Sequence, residues 1–161
     1  MVLLVARLTA TRSAAAAGLL AAVDDAVLWL AFLVAGTSTV GSLYFSEVAD
    51  YVPCRLCWFQ RIAMYPLSAI LLVAAVRGDR GVRWYAGPIA AIGALISAYH
   101  FLIEWQPSLE GGACAVGSSC ADIWFRELGF VTLAFMALSG FVTVLVLVVP
   151  RTVSPPDQEI S

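Results

Sequence analysis

The sequence contains no lysine; all nine basic residues are arginine. We read that as a compositional bias of the source, without functional weight. The broader shortage is charge. Charged residues are 12% of the chain, against about 25% in a typical soluble domain. Hydrophobic residues are 61% of its 161 positions, more than a soluble fold of this size could cover. This excludes a water-soluble class and leaves no room for a second sizeable domain. Net charge is −2, which gives no electrostatic footprint for a nucleic-acid partner. No basic residue precedes the first apolar run, and Arg7 and Arg12 follow it. Residues 1–22 therefore do not read as a secretory signal. Dyad alternation is missing too, which argues against transmembrane strands.

What is present is four long apolar runs. A helix of about 20 residues crosses a membrane core of roughly 30 Å. The runs cover residues 26–45, 58–76, 84–103 and 129–149. The expected fold class is an all-α membrane protein, a four-transmembrane-helix bundle. Residues 1–25 are expected to form a cytoplasmic extension, because a span through Asp24 and Asp25 would be costly. Residues 26–150 make the expected membrane domain. The polar 151–161 tail, with Pro155 and Pro156, is expected to be a disordered cytoplasmic end.

Arginine sets the orientation. Arg7, Arg12, Arg77, Arg80, Arg83 and Arg151 fall on one side, and Arg55, Arg61 and Arg126 on the other. The excess favours both termini and the turn between spans two and three in the cytoplasm. Trp58, Trp105 and Trp124 then mark the outer interface, and Trp29 and Trp84 the inner one.

All four cysteines fall in the two outer loops. Cys54 and Cys57 form a C-x-x-C at the start of span two, and Cys114 and Cys120 a C-x₅-C in the second outer loop. Outside the cytoplasm disulfides persist. Four cysteines allow three pairings, of which local pairing within each loop is the simplest. Exchange chemistry needs an attacking and a leaving thiolate. Cys57 is expected near the N-terminal end of a helix, where unpaired N–H groups favour a thiolate. Arg61 follows one turn later on the same face and could hold a thiolate or a reduced quinone oxygen. His100, one turn before Glu104, could donate to a quinone carbonyl. Blander readings stand beside these. The cysteines could be structural staples or a loosely spaced zinc set. Arg61 could snorkel to headgroups, and His100 could pair with Glu104 or water.

The stretch 53–67, P-C-R-L-C-W-F-Q-R-I-A-M-Y-P-L, resembles the DsbB/BdbC family of bacterial disulfide-bond formation proteins. The C-x-x-C followed by Q-R is the most specific mark. The likeness continues through Tyr99–His100, the Cys114/Cys120 spacing and G-F-V-T-L-A-F at 129–135. The short C-x₅-C is similar to the BdbC branch, although Ala134 stands where that branch often has proline. The N-terminal extension has no matching counterpart. The resemblance implies a quinone cofactor, menaquinone or ubiquinone, and an extracytoplasmic thioredoxin-fold partner of the DsbA type. The DsbA–DsbB–quinone chain is the family's own type system. The resemblance also implies roles: Cys54 and Cys57 as the quinone-coupled pair, Arg61 and His100 beside the quinone, and Cys114 and Cys120 as the partner-facing pair. No metal is implied. The expected setting is the bacterial cytoplasmic membrane, with the cysteines outside. A vitamin K epoxide reductase-like enzyme is the alternative, but there the C-x-x-C follows the loop pair. A scaffold with two stapled loops is the non-enzyme alternative.

Within the second loop, residues 121–128 carry Ile123, Trp124, Phe125 and Leu128, which predicts a short interfacial helix on the membrane surface. Cys120 would then sit at its N-terminal end and leave readily as a thiolate. On that reading the partner attacks Cys114, freed Cys120 attacks Cys54, and Cys57 is expelled.

Overall fold

The structure, a computed structural model, describes residues 14–114 and 119–149. The expected 151–161 tail and the first 13 residues of the expected extension lie outside the described residues. Among the described residues four α-helices make the bundle: α1 Ala14–Glu47, α2 Arg55–Arg77, α3 Arg83–Trp105 and α4 Leu133–Val148. Residues 26–47 of α1, and the whole of α2 and α3, are long and apolar enough to cross a membrane. The backbone of α1 is continuous from Ala14, so the helix runs unbroken through Asp24 and Asp25.

The fourth helix is shorter than its hydropathy suggests. It has 16 residues, about 24 Å of rise. The apolar run from 129 does not start a helix, because Leu128 and Gly129 take left-handed φ values of 52° and 81°. Only at Thr132 does a cap appear: its Oγ1 accepts the Phe135 N–H at 3.2 Å.

At the opposite end of the bundle the link between α2 and α3 is tight. Gly78, at φ 62°, ends α2 with its N–H on the Ala74 carbonyl. Left-handed φ is nearly free for glycine, which makes it the usual helix stop. Asp79 then accepts the Gly81 N–H at 2.7 Å, and one 3₁₀ turn, Arg80–Val82, feeds α3.

The core is built from Leu28, Ala31 and Ala35 on α1, Leu67 and Leu71 on α2, Ala86 and Ala90 on α3, and Phe141, Val144 and Val148 on α4. Small residues let helices approach closely where no hydrophobic effect drives them together. Gly93 is the clearest case. A Cβ there would lie 2.2 Å from the Phe141 ring, so glycine is what allows α3 and α4 to pack.

The interfacial helix expected at 121–128 is absent. The short helical turns of the second loop are Pro107–Leu109 and Gly111–Cys114 instead. Residues 119–131 are irregular and end in a reversal closed by paired backbone hydrogen bonds between Glu127 and Val131, 2.9 and 3.0 Å. The aromatic residues satisfy themselves across the bundle rather than along one helical face. Trp124 stacks on Tyr51 at 4.8 Å, Tyr51 on Phe45 at 5.6 Å, and Phe125 lies 5.7 Å from Phe45. Arg126 sits 4.6 Å over the Trp105 ring. The second loop is thereby fastened to the first.

Candidate redox-active cysteine site

Helix α2 begins one residue after Cys54, earlier than the apolar run implies. Cys54 is its N-cap, in extended conformation, and its sulfur accepts the Cys57 N–H at 3.2 Å. The unpaired N–H groups of the first turn therefore act on Cys54. This corrects the expectation that the helix end favours a thiolate at Cys57. The Cys54 and Cys57 sulfurs are 2.6 Å apart and both are free. The Cys54 thiol is lowered from 9.0 to about 4. The hydrogen bond from the Cys57 thiol is the main cause, opposed by burial and reinforced by His100 and the Cys57 N–H.

Cys114 and Cys120 are joined in a disulfide, which removes them as zinc ligands. Glu110 holds this loop: its Oε1 accepts the Ser119 hydroxyl at 2.8 Å and the Cys120 N–H at 2.7 Å. Those two bonds, the hydroxyl first, keep its carboxyl below the usual range. No helix directly follows Cys120, so the expected leaving-group advantage at a helix end does not apply to it.

The two pairs meet. Cys54, Cys114 and Cys120 share one buried cluster with Leu56 and Ile103. His100, 3% exposed, stands between them. Its Nε2 lies 3.2 Å from the Cys120 carbonyl and 3.7 Å from the Cys54 sulfur. Its Nδ1 is 3.2 Å from the side-chain nitrogen of Gln60. Because that amide nitrogen donates, Nδ1 accepts and the ring proton rests on Nε2. Glu104, one turn on, is also buried. Its Oε2 accepts the Thr132 hydroxyl at 2.6 Å, which ties α3 to the cap of α4.

On the other side of Cys57 lies a cavity of about 310 Å³. Apolar walls come from Phe45, Val52, Met64 and Phe141, and polar groups from Gln60, Arg61 and Cys57. Arg61 donates to the Ser42 carbonyl at 2.9 Å and lies 5.4 Å over the Trp58 ring. Arg61 thus lines the cavity beside Cys57. His100 does not line it; it faces the junction of the two cysteine pairs. Sequence reasoning passed over Gln60 and Glu110 as site residues. The signal for Gln60 was an amide inside an apolar span, a costly placement without a partner.

A free C-x-x-C at a helix cap, packed against a loop disulfide in a membrane bundle, defines a membrane thiol oxidoreductase. A family profile described as "Disulfide bond formation protein DsbB" matches residues 24–150. The chain belongs to that family. It is 42% identical over 120 residues to "Disulfide bond formation protein C" of Bacillus subtilis (strain 168), covering 74% of this chain and 87% of that protein. It is 44% identical over 110 residues to "Probable disulfide formation protein C 1" of Bacillus anthracis, covering 68% and 79%. With "Probable disulfide formation protein" of Oceanobacillus iheyensis it shares 40% over 123 residues, covering 75% and 85%. No solved structure matches it. A membrane role in disulfide formation follows from the family, and the stapled scaffold is set aside.

Proposed function

We propose that the chain is a membrane thiol:quinone oxidoreductase that reoxidises an extracytoplasmic, DsbA-like thioredoxin-fold thiol oxidase. One observation carries the reading: the C-x-x-C has two sides. Cys57 lines the cavity, and Cys54 lies against His100 and the loop disulfide. A pair that accepts electrons from one neighbour and gives them to another needs that division.

The cavity suits a quinone ring. Its volume is at the low end of small-molecule pockets, which are about 300–1,000 Å³ with a few placed polar groups. Arg61 would hold a ring oxygen, with Gln60 beside it and Cys57 at the wall. A menaquinone or a ubiquinone ring meets this description equally. The quinone, when bound, supplies a two-electron, two-proton acceptor.

The chain's own residues do the exchange. A partner thiolate attacks Cys114 and releases Cys120, because the Cys120 carbonyl meets the same His100 nitrogen that reaches the Cys54 sulfur. The partner's second thiolate then breaks the bond to Cys114, so that the partner leaves as a disulfide and both loop sulfurs are reduced. Cys120 attacks Cys54 and expels Cys57. Cys114 then attacks Cys120, closes the loop disulfide and releases Cys54. The reduced pair is reoxidised at its Cys57 side. Residues 26–150 make the catalytic unit, in a bacterial cytoplasmic membrane with the cysteines outside and both termini inside.

The test is a thioredoxin-fold donor that lacks its resolving cysteine. Mixed with the oxidised protein, it should be trapped on Cys114, as mapped by mass spectrometry. Trapping mainly on Cys120 or Cys54 would sink the proposed order.

A further inference from the structure

His100 has no place on the cavity wall, yet it is buried with both ring nitrogens engaged. A buried imidazole inside a membrane span is costly unless it has a task or full partners. Its partners are unusual. One nitrogen reaches the Cys120 backbone and the Cys54 sulfur together, and these belong to different redox pairs. Gln60, on α2, fixes the ring from behind and leaves the proton on the nitrogen that faces the junction.

We propose that His100 is a catalytic residue of the transfer between the two pairs: its Nε2–H holds the Cys120 segment against Cys54 and stabilises the thiolate released from Cys54. The proposal rests on the functional reading above.

The exchange balances as follows. The loop pair begins as two thiols and Cys54–Cys57 as a disulfide. Cys120 loses its proton to outer water, and its thiolate forms a bond to Cys54. The Cys54–Cys57 bond breaks, and the electron pair leaves on Cys57. Cys57 takes up a proton, so that step needs none from His100. Cys114 loses its proton to outer water and bonds to Cys120. The Cys120–Cys54 bond breaks, and its electron pair leaves on Cys54. The loop pair is now oxidised and Cys54–Cys57 reduced, with one net proton released. It is this last sulfur that faces the Nε2–H and caps α2. Hydrogen bonds to a charged group are worth more than neutral ones, so the donor helps most when Cys54 carries charge.

The chemistry separates this role from binding at the cavity. His100→Phe keeps a ring and removes the donor; His100→Gln returns a donor at about the reach of Nε2. Full-length protein in detergent, oxidised at both pairs and free of quinone, is mixed with reduced thioredoxin. Samples are acid-quenched, alkylated and mapped by mass spectrometry, so that each pair is followed separately. We expect the loop pair to be reduced at the wild-type rate in both variants. Transfer onward to Cys54–Cys57 should slow about tenfold to a hundredfold in His100→Phe, the range for a lost hydrogen bond to a charged group. His100→Gln should recover most of that loss. Unchanged transfer in His100→Phe would overturn the proposal, as would equal slowing of both steps or no recovery in His100→Gln. If thioredoxin cannot reduce the wild-type loop pair, the functional reading fails first and takes this inference with it. A folding failure of His100→Phe alone leaves His100→Asn to decide. Its shorter amide cannot reach the Nε2 position, so it should be as slow as a donor-less variant, and wild-type transfer in it would overturn the proposal.

Discussion

Each sulfur owes its character to a few neighbouring atoms. Cys54 occupies the N-cap of α2, receives the Cys57 N–H and faces His100. Its lowered pKa has a definite sign. The reduced state gains from the thiolate at high pH, and that gain is lost as pH falls from the ordinary 9.0 through about 4. Alkylation of the reduced protein, mapped by mass spectrometry, should find Cys54 still reactive well below the pH at which an ordinary thiol falls silent. Reactivity that titrates near 9 would contradict the cap geometry. Arg61 gives a second prediction at this scale. It lines the cavity beside Cys57 with one nitrogen on the Ser42 carbonyl. Arg61→Ala should raise the apparent KM for quinone about tenfold or more, the worth of a charged hydrogen bond. Exchange at Cys114–Cys120 should stay near wild type. An unchanged KM would return Arg61 to a headgroup contact.

The elements explain what the sequence made legible. Four apolar runs read as four helices, because hydropathy over about 20 residues is a direct trace of the bilayer. Helix ends were less legible, since they depend on single backbone conformations. Cysteine is not a usual cap, so α2 was placed several residues late and the thiolate with it. Leu128 and Gly129 belong to an apolar run, yet their left-handed φ values delay α4 to Leu133. Residues 121–128 look amphipathic in isolation. Their aromatics pack instead on Phe45 and Tyr51, more than 70 positions away in sequence, a contact no local pattern reveals. The grouping of the four cysteines into two pairs, and Arg61 one turn beyond Cys57, were legible from spacing and motif. The position of His100 between the pairs was not, because it depends on how α3 meets the second loop. One residue joins these elements. Thr132 caps α4 and donates to buried Glu104 on α3. Thr132→Val should lose about 1–3 kcal/mol, seen as a lower unfolding temperature in detergent, and Thr132→Ser should restore most of it. A valine variant as stable as wild type would mean the α3–α4 link is idle.

At the scale of the whole molecule, the bundle separates two environments around one C-x-x-C. The loop disulfide lies on the Cys54 side and the apolar cavity on the Cys57 side. On the arginine asymmetry, we propose that all of this lies on the outer face. After reduction, all four cysteines should therefore react with a membrane-impermeant thiol reagent added to intact cells. Labelling of Cys54 or Cys114 only after lysis would reverse the orientation. The central claim is electron flow across the molecule, and quinol formation measures it most directly. Purified protein, supplied anaerobically with quinone and an excess of reduced thioredoxin-fold donor, should form one quinol per donor dithiol oxidised, over many turnovers. It should form none when Cys57 is replaced by serine. Donor oxidation that stops after the protein's own disulfides are consumed, with no quinol formed, would contradict the account.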